Sequence, residues 1–476
     1  MEMGADRERA SQRAPASEER SDRGGDRSGP LDRDALAAAG RTVAERLTAA
    51  GVEAVALTWV DNVGITRAKT VPAANLAEVA AWGVGMSKVH DVFCVDDSII
   101  SSRHIGGPVG DLRLHPDLTA VTVLAAQPGW AWAPVDRWTQ DGTPYPPDQR
   151  GFARRMVRRA EAAGLRLSMA FEVEWYLAGP GGAPASDGPA YGMTPVVELS
   201  DFARALFVAL AAQGVPVRQF HPEYGRGQLE ISVGPADPVA AADRAVLVRE
   251  TIRAVARRHD LRPSFAPVPV FGSVGNGMHL HFSVHREAGP LLGGGDGPHG
   301  LTAAGESVLS GVLARLPALA ALGAPSVSSH LRRAPQRWAG AYRCWGLENR
   351  EAALRLVRGV RTAADANAEI KCVDPSANPY LVVGAVCAVA AQAVDAGLRL
   401  PPEVGVDPAT LPPDEQPPRL PASVPDTMAA LAADDLLADA FGPELLDAFV
   451  SVHRAEWEAS QALEDAAVVE AVRWRY

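Results

Sequence analysis

Cysteine is scarce: Cys94, Cys344, Cys372 and Cys387 are the only four in 476 residues, and they lie far apart with no metal-ligand spacing. That excludes a disulfide framework or a cysteine-built zinc site and predicts reduced structural thiols in a cytoplasmic protein. No uninterrupted apolar run reaches the roughly 18 residues of a membrane span, so no membrane partner is expected. Basic charge is in deficit. Lys and Arg number 46 against 57 Asp and Glu, a net charge of -11, the wrong sign for general nucleic-acid binding. Residues 1–30 contain no Val, Leu, Ile, Phe, Trp or Tyr and interleave Arg with Asp and Glu. They cannot bury enough surface to order themselves and lack the apolar centre of a signal peptide, which predicts a disordered tail. No internal repeat with a period of roughly 20–50 residues is present either.

What remains is ample for a large core, with 47% hydrophobic residues. The spacing predicts a helix over residues 31–51, strands over 52–60 and 67–71 around the turn Asp61-Asn62-Val63-Gly64, and a strand over 121–125. The Pro- and Gly-rich stretch from Asp141 to Pro147 marks a boundary. The expected organisation is therefore a tail (1–30), a small α+β unit (31–143) and a larger unit (144–476). In the larger unit, helices are expected over 151–163, 237–258 and 301–322, Gly/Pro-rich loops over 178–191 and 286–300, and helices again in the last 50 residues. Strands and helices do not alternate regularly, so the class is α+β.

Four short segments carry the chemistry. Phe171-Glu172-Val173-Glu174-Trp175 alternates apolar with acidic, and Glu223 precedes a turn into Glu230 at the head of another strand. His279-Leu280-His281-Phe282-Ser283 and Ala368-Glu369-Ile370-Lys371-Cys372 alternate again. Side chains two apart on a strand point the same way, roughly 6–7 Å apart. If these strands share a sheet, its polar face is a carboxylate-rich bowl that needs cations. Hard oxygen donors with one or two imidazoles favour Mg²⁺ or Mn²⁺ over zinc. A second constellation is basic: Arg332, Arg350, Arg355 and Lys371, suited to phosphate and carboxylate oxygens.

These residues resemble the glutamine synthetase family in order and spacing from about residue 50 to the end. The matching pieces are Asp61-x-x-Gly64, the acidic pair Glu172 and Glu174, the run from His221 to Glu230, the run from Gly275 to Ser283, the run from Glu348 to Arg355, and Asp374 to Leu381. The resemblance implies a β-grasp N-terminal domain and a catalytic domain with a curved antiparallel sheet and flanking helices. It also implies two stacked hexameric rings, a dodecamer with sites between neighbours, and Asp61 reaching into the next subunit. It assigns Glu174, Glu223 and Glu230 to one metal and Glu172, His279 and Glu369 to a second, with two or three ions in all. His281, Ser283 and Arg355 match nucleotide-site positions. Gly275, Arg332 and Lys371 match glutamate-site positions, and Arg350 and Arg355 surround the transferred phosphoryl group. The implied substrates are ATP, glutamate and an amine.

Departures concern the amine. Ammonia-using members carry a Glu on a flap after the position of Arg332, where this chain has Trp338. An indole is neither base nor anion; it offers an apolar wall and a cation–π face to a larger amine. Lys371 replaces an Arg, Val274 an Asn and Val268 a Lys of the family pattern. No Tyr lies between Tyr380 and Tyr476, which removes the tyrosine-adenylylation loop of some bacterial members. The reading is an ATP-dependent ligase joining the γ-carboxylate of glutamate to a polyamine or to a monoamine such as ethanolamine. Ordinary glutamine synthesis and a non-catalytic relative are its alternatives.

Overall fold

A computed structural model describes residues 31–476; the tail expected over 1–30 lies outside the described residues. The helix Arg33–Ala49 starts behind Asp32, whose carboxylate accepts the Ala35 N–H at 3.0 Å. It buries Ala44 and Leu47 in one cluster with Val55 and Leu57 of the first sheet. That sheet holds β1 (Ala54–Val60), β2 (Thr66–Pro72), β3 (Val84–Ser87), β4 (Asp111–Pro116), β5 (Thr122–Val123) and β6 (Trp130–Thr139). The order is β2-β1-β6-β4-β3, with β5 on β6, and β1 runs parallel to β6. The strand expected over 121–125 is thus only two residues long, a short edge piece ending before the turn at Gly129.

The second sheet contains nine strands: β7 (Arg166–Ala178), β8 (Val217–Pro222), β9 (Gln228–Val233), β10 (Arg262–Ser264), β11 (Met278–Arg286), β12 (Gly289–Pro290), β13 (Tyr342–Leu347), β14 (Ala352–Val357) and β15 (Asn367–Ile370). Its main path is β13-β14-β15-β11-β7-β9-β8, antiparallel except between β13 and β14. The helices Gln149–Ala162, Pro238–Arg258, Ala303–Gly323 and Pro379–Ala393 cover one face. Each begins where the sequence places a cap: Asp148, Asp237, Thr302 and Asn378 each accept a backbone N–H of the first turn. The helix Ala303–Gly323 is long and apolar enough to cross a membrane by length and composition, but most of it is buried in this core.

Period-two patterning decides which face is which. Met169, Phe171, Val173 and Trp175 of β7, Leu229 and Ile231 of β9, Leu280 and Phe282 of β11, and Ala368 and Ile370 of β15 all point into the core. Their alternates therefore share the opposite, concave face. A slip of one residue in any of these strands would turn its polar set into the core.

Candidate active site

Register brings the polar residues together. Across β7 and β11 His279 stands opposite Glu172; across β7 and β9 Glu230 stands opposite Glu174. Glu369 on β15 faces His281 on β11 and Arg355 on β14, and His221 on β8 faces Glu230. Directly opposed residues have Cβ atoms about 4.5–5.5 Å apart, close enough for side chains to meet. Residues far apart in the chain thus become neighbours through strand pairing alone. All of these but Glu369 line a cavity of about 870 Å³ together with Tyr191, Gln228, Gly275, Arg332, Trp338 and Arg350.

The two halves of this bowl differ electrostatically. In one, His279 Nδ1 lies 3.1 Å from Glu172 Oε1 and 3.2 Å from Glu369 Oε1. Lys371 Nζ donates to Glu369 Oε1 at 3.1 Å, and Arg355 donates to Glu369 Oε2 at 3.2 Å. Burial works against the Glu172 anion, but the His279 hydrogen bond and charge bring its pKa down to about 2. Glu369 is likewise held well below the usual carboxylate range, against burial, chiefly by Lys371 and then His279. The same two carboxylates raise His279 against its burial and the charge of Lys371.

In the other half Glu223 is lowered, against burial, by hydrogen bonds from His221 and Tyr191, but Glu174 and Glu230 lack such offset. Burial, then Glu172, Glu174 and Glu223, pushes Glu230 up to about 10. Burial also raises Glu174, whose Oε2 accepts Gln228 Nε2 at 2.8 Å and the Gly277 N–H at 2.9 Å. Glu223 is ordered by the Tyr191 hydroxyl, which donates to Oε2 at 2.8 Å, and by His221, 3.0 Å from Oε1. A cluster that must hold protons to stay buried is one that a divalent cation would discharge.

Ligand atoms of Glu172, His281 and Glu369 lie within 4.8 Å of one another, as do those of His221, Glu223 and Glu230. His281 Nε2 is buried without a hydrogen-bond partner, while its Nδ1 is fixed by Asn367 Oδ1 at 2.9 Å, the arrangement of an imidazole oriented to ligate. These donors fit Mg²⁺ or Mn²⁺. The expected His279 lies against Glu172 and Glu369 and the expected Glu174 opposite Glu230, and two further histidines join these groups. His281, expected at the nucleotide, sits with Glu172 and Glu369, while His279 Nε2 is engaged by Arg332 at 2.9 Å. His221, which no sequence reading selected, joins Glu223 and Glu230. No local pattern marks it: Glu223 lies just past the end of β8, and His221 meets Glu230 through strand register.

The remaining candidates divide. Gly275 lines the cavity, and a Cβ there would press on Arg332 Cγ at 2.8 Å. Arg332 and Lys371 line the same wall, with the Arg332 guanidinium donating to the Lys371 carbonyl at 3.3 Å. Trp338 is 53% exposed at the cavity rim, its ring centroid 5.9 Å from the Arg350 guanidinium carbon. Ser283 shares the His279–His281 face but is not among the cavity-lining residues, and its hydroxyl donates to the Ala366 carbonyl at 3.0 Å. Asp61 lies apart from the cavity. It is fully buried, accepting from Val63 N, Ile65 N and Arg67 Nε, and burial raises its pKa to about 6.

Two family models account for most of the chain: the glutamine synthetase N-terminal domain over residues 38–145 and the glutamine synthetase catalytic domain over 146–470. The chain belongs to the glutamine synthetase family. It is thereby a ligase of a family that uses ATP and a divalent metal. Among relatives, it is 51% identical over 442 residues to the gamma-glutamylpolyamine synthetase GlnA3 of Streptomyces coelicolor, covering 90% of this chain and 95% of that one. It is 27% identical over 451 residues to the glutamine synthetase of Halobacterium salinarum, covering 89% and 96% respectively. Among solved structures, a novel glutamine synthase homolog superposes with a TM-score of 0.81 at 35% identity, covering 89% of this chain and 99% of that one. A GmaS/ADP complex superposes with 0.79 at 25% identity, covering 89% and 97%.

Proposed function

We propose that this glutamine synthetase-family chain joins the γ-carboxylate of glutamate to an organic amine, with polyamines as the acceptor class. The observation that carries the reading is Trp338: an indole, half exposed, lines the cavity wall where an ammonia enzyme of the family carries an acid. The 51% identity to a protein named gamma-glutamylpolyamine synthetase supports it.

The chemistry follows from the groups present. A carboxylate and an amine do not condense in water without activation. An oxygen of the γ-carboxylate attacks the terminal phosphorus of ATP, the bond to ADP breaks, and γ-glutamyl phosphate results. The amine nitrogen then attacks the acyl carbon, phosphate leaves, and the nitrogen sheds a proton. Arg350 and Arg355 line the cavity and serve the phosphoryl oxygens; Arg332, Lys371 and Gly275 serve glutamate; His281 lines the same cavity on the side assigned to the nucleotide, with Ser283 on the same strand face outside the lining. The two carboxylate clusters would hold Mg²⁺ or Mn²⁺, which would supply neutralisation of phosphate charge. Holding both substrates in a water-poor bowl removes the orientational cost and protects the acyl phosphate. ATP and glutamate meet in the cytoplasm, and four buried free thiols suit that compartment. Asp61 reaches this chemistry only through a second copy of the chain, in a dodecamer of the family kind.

The test is phosphate release from ATP with glutamate and a panel of amines. We expect turnover with putrescine, spermidine or spermine to exceed that with ammonium at least tenfold. Turnover with ammonium alone would refute the reading.

A further inference from the structure

Trp338 rides on a segment that the chain's own backbone preferences do not favour. Gln336 has φ +61° and Trp338 has φ +52°, both in the left-handed region that residues with a Cβ avoid. Such conformations persist when surrounding structure over-determines them. Here the determinant is Glu351, which immediately precedes β14. Its Oε1 accepts the Trp338 N–H at 2.9 Å, and the Gln336 N–H also bonds to the same carboxylate. Backbone N–H groups converging in this way form a small concavity for an anion. The anion is internal.

Three further contacts fix the geometry. Glu351 is only 5% exposed, and its second oxygen is buried with no hydrogen-bond partner, while its own backbone N–H donates to Asn349 Oδ1 at 3.0 Å and ties it to the turn behind. Arg350, its chain neighbour, holds its guanidinium carbon 5.9 Å from the indole centroid. At the far end of the segment Gly340 has φ +67°, and a Cβ there would meet Ala353 Cα at 3.0 Å, so the segment is anchored on the same strand that Glu351 introduces.

We propose that Glu351 is a positioning residue: its carboxylate is the core around which residues 336–338 fold, and it fixes the indole as the wall that admits the amine and excludes water. The proposal rests on the amine-ligase reading of the cavity. Arg350, assigned to the phosphoryl oxygens, and Glu351, which sets the indole, are adjacent in the chain. Movement at one is therefore felt at the other. When the wall is displaced, water can attack the acyl carbon of γ-glutamyl phosphate in place of the amine. The carbon–oxygen bond to phosphate breaks, glutamate and phosphate are regenerated, and water's proton passes to solvent.

The experiment uses the full chain with Mg²⁺, ATP, glutamate and putrescine, comparing wild type with Glu351→Ala and Glu351→Gln. In Glu351→Ala we expect amine-free, glutamate-dependent phosphate release to rise at least fivefold. The KM for putrescine should rise at least tenfold, while the KM for glutamate stays within twofold. Glu351→Gln keeps a carbonyl acceptor for the two N–H groups and should restore both quantities to within about threefold of wild type. Should thermal melting show Glu351→Ala unfolded, Glu351→Asp replaces it, because shortening the side chain withdraws the acceptor from both N–H groups. Unchanged leak and unchanged putrescine KM would overturn the proposal. So would equal losses for both substrates with no rescue by Gln. The amine-free leak reads Glu351 whatever acceptor the enzyme prefers, so a preference for ammonium would sink the amine assignment and leave this test standing.

Discussion

Glu230 keeps its proton to about pH 10 because it is buried among Glu172, Glu174 and Glu223. That makes metal-free stability depend on pH with a defined sign. The folded state binds a proton that the unfolded chain releases near the ordinary carboxylate value. The contribution is full below that value and drains away as pH climbs toward 10, by at most about 1.4 kcal/mol per pH unit. His221 and His279, also raised, act in the same direction. Glu172 and Glu369 are lowered, so their contribution is already complete above pH 6 and flat beyond it. In EDTA the melting temperature should therefore fall between pH 6 and 8.5, and the rise on adding Mg²⁺ should grow over the same range. Glu230→Gln should flatten both trends; a metal-free melting temperature that climbs with pH would contradict the charge picture. At this scale the sequence was readable where alternation placed an acid or imidazole between apolar neighbours, as at Glu172, Glu174 and His279. It was not readable where partnership depends on which strand lies opposite. His221 and Asn367 acquire their roles from the register of β8 and β15, which no local pattern encodes.

Elements were legible in proportion to their length and caps. Helices behind Asp148, Asp237 and Thr302 start within a few residues of expectation, because an accepting side chain and an apolar stripe mark them together. The two-residue strand β12 was not read, and β5 was read over a longer span than it has, since pairing rather than propensity sets such short strands. The turn at Asp61–Gly64 shows how a short element is fixed from outside. Gly64 has φ +77°, and a Cβ there would run into the carbonyl of Ser376, while Asn378 Nδ2 donates to the Val60 and Asp61 carbonyls at 3.0 Å. Gly64→Ala should destabilise the protein by at least about 1–2 kcal/mol from backbone conformation alone. Urea unfolding measures it; a loss below 0.5 kcal/mol, on the order of a neutral surface change, would mean the turn relaxes freely.

Across the whole molecule, the first sheet and the catalytic core meet through charge. Arg150 donates to Asp243 at 3.0 and 2.8 Å, to Asp136 at 2.8 Å and to Asp117 at 2.8 Å, and the Tyr380 hydroxyl donates to Asp243 at 2.8 Å. Asp136 belongs to β6, Asp243 to the helix Pro238–Arg258 and Tyr380 to the helix Pro379–Ala393. All are buried, so deleting the guanidinium strands carboxylates in a poorly solvated interior. Arg150→Met should cost about 3–5 kcal/mol, seen as a lower denaturation midpoint. A loss under about 1 kcal/mol, the scale of an exposed ion pair, would show that water reaches this junction.

On the two-ion proposal, the unequal halves of the bowl would set an order of loading. Where Lys371, Arg355 and His279 already answer the acidic charge, an incoming cation gains little until a nucleotide's phosphates arrive to share it. Where Glu174 and Glu230 stand with far less to answer them, a cation would be welcome at once. On that proposal, one ion would be a resident and the other a passenger of ATP, leaving the resting enzyme half-armed.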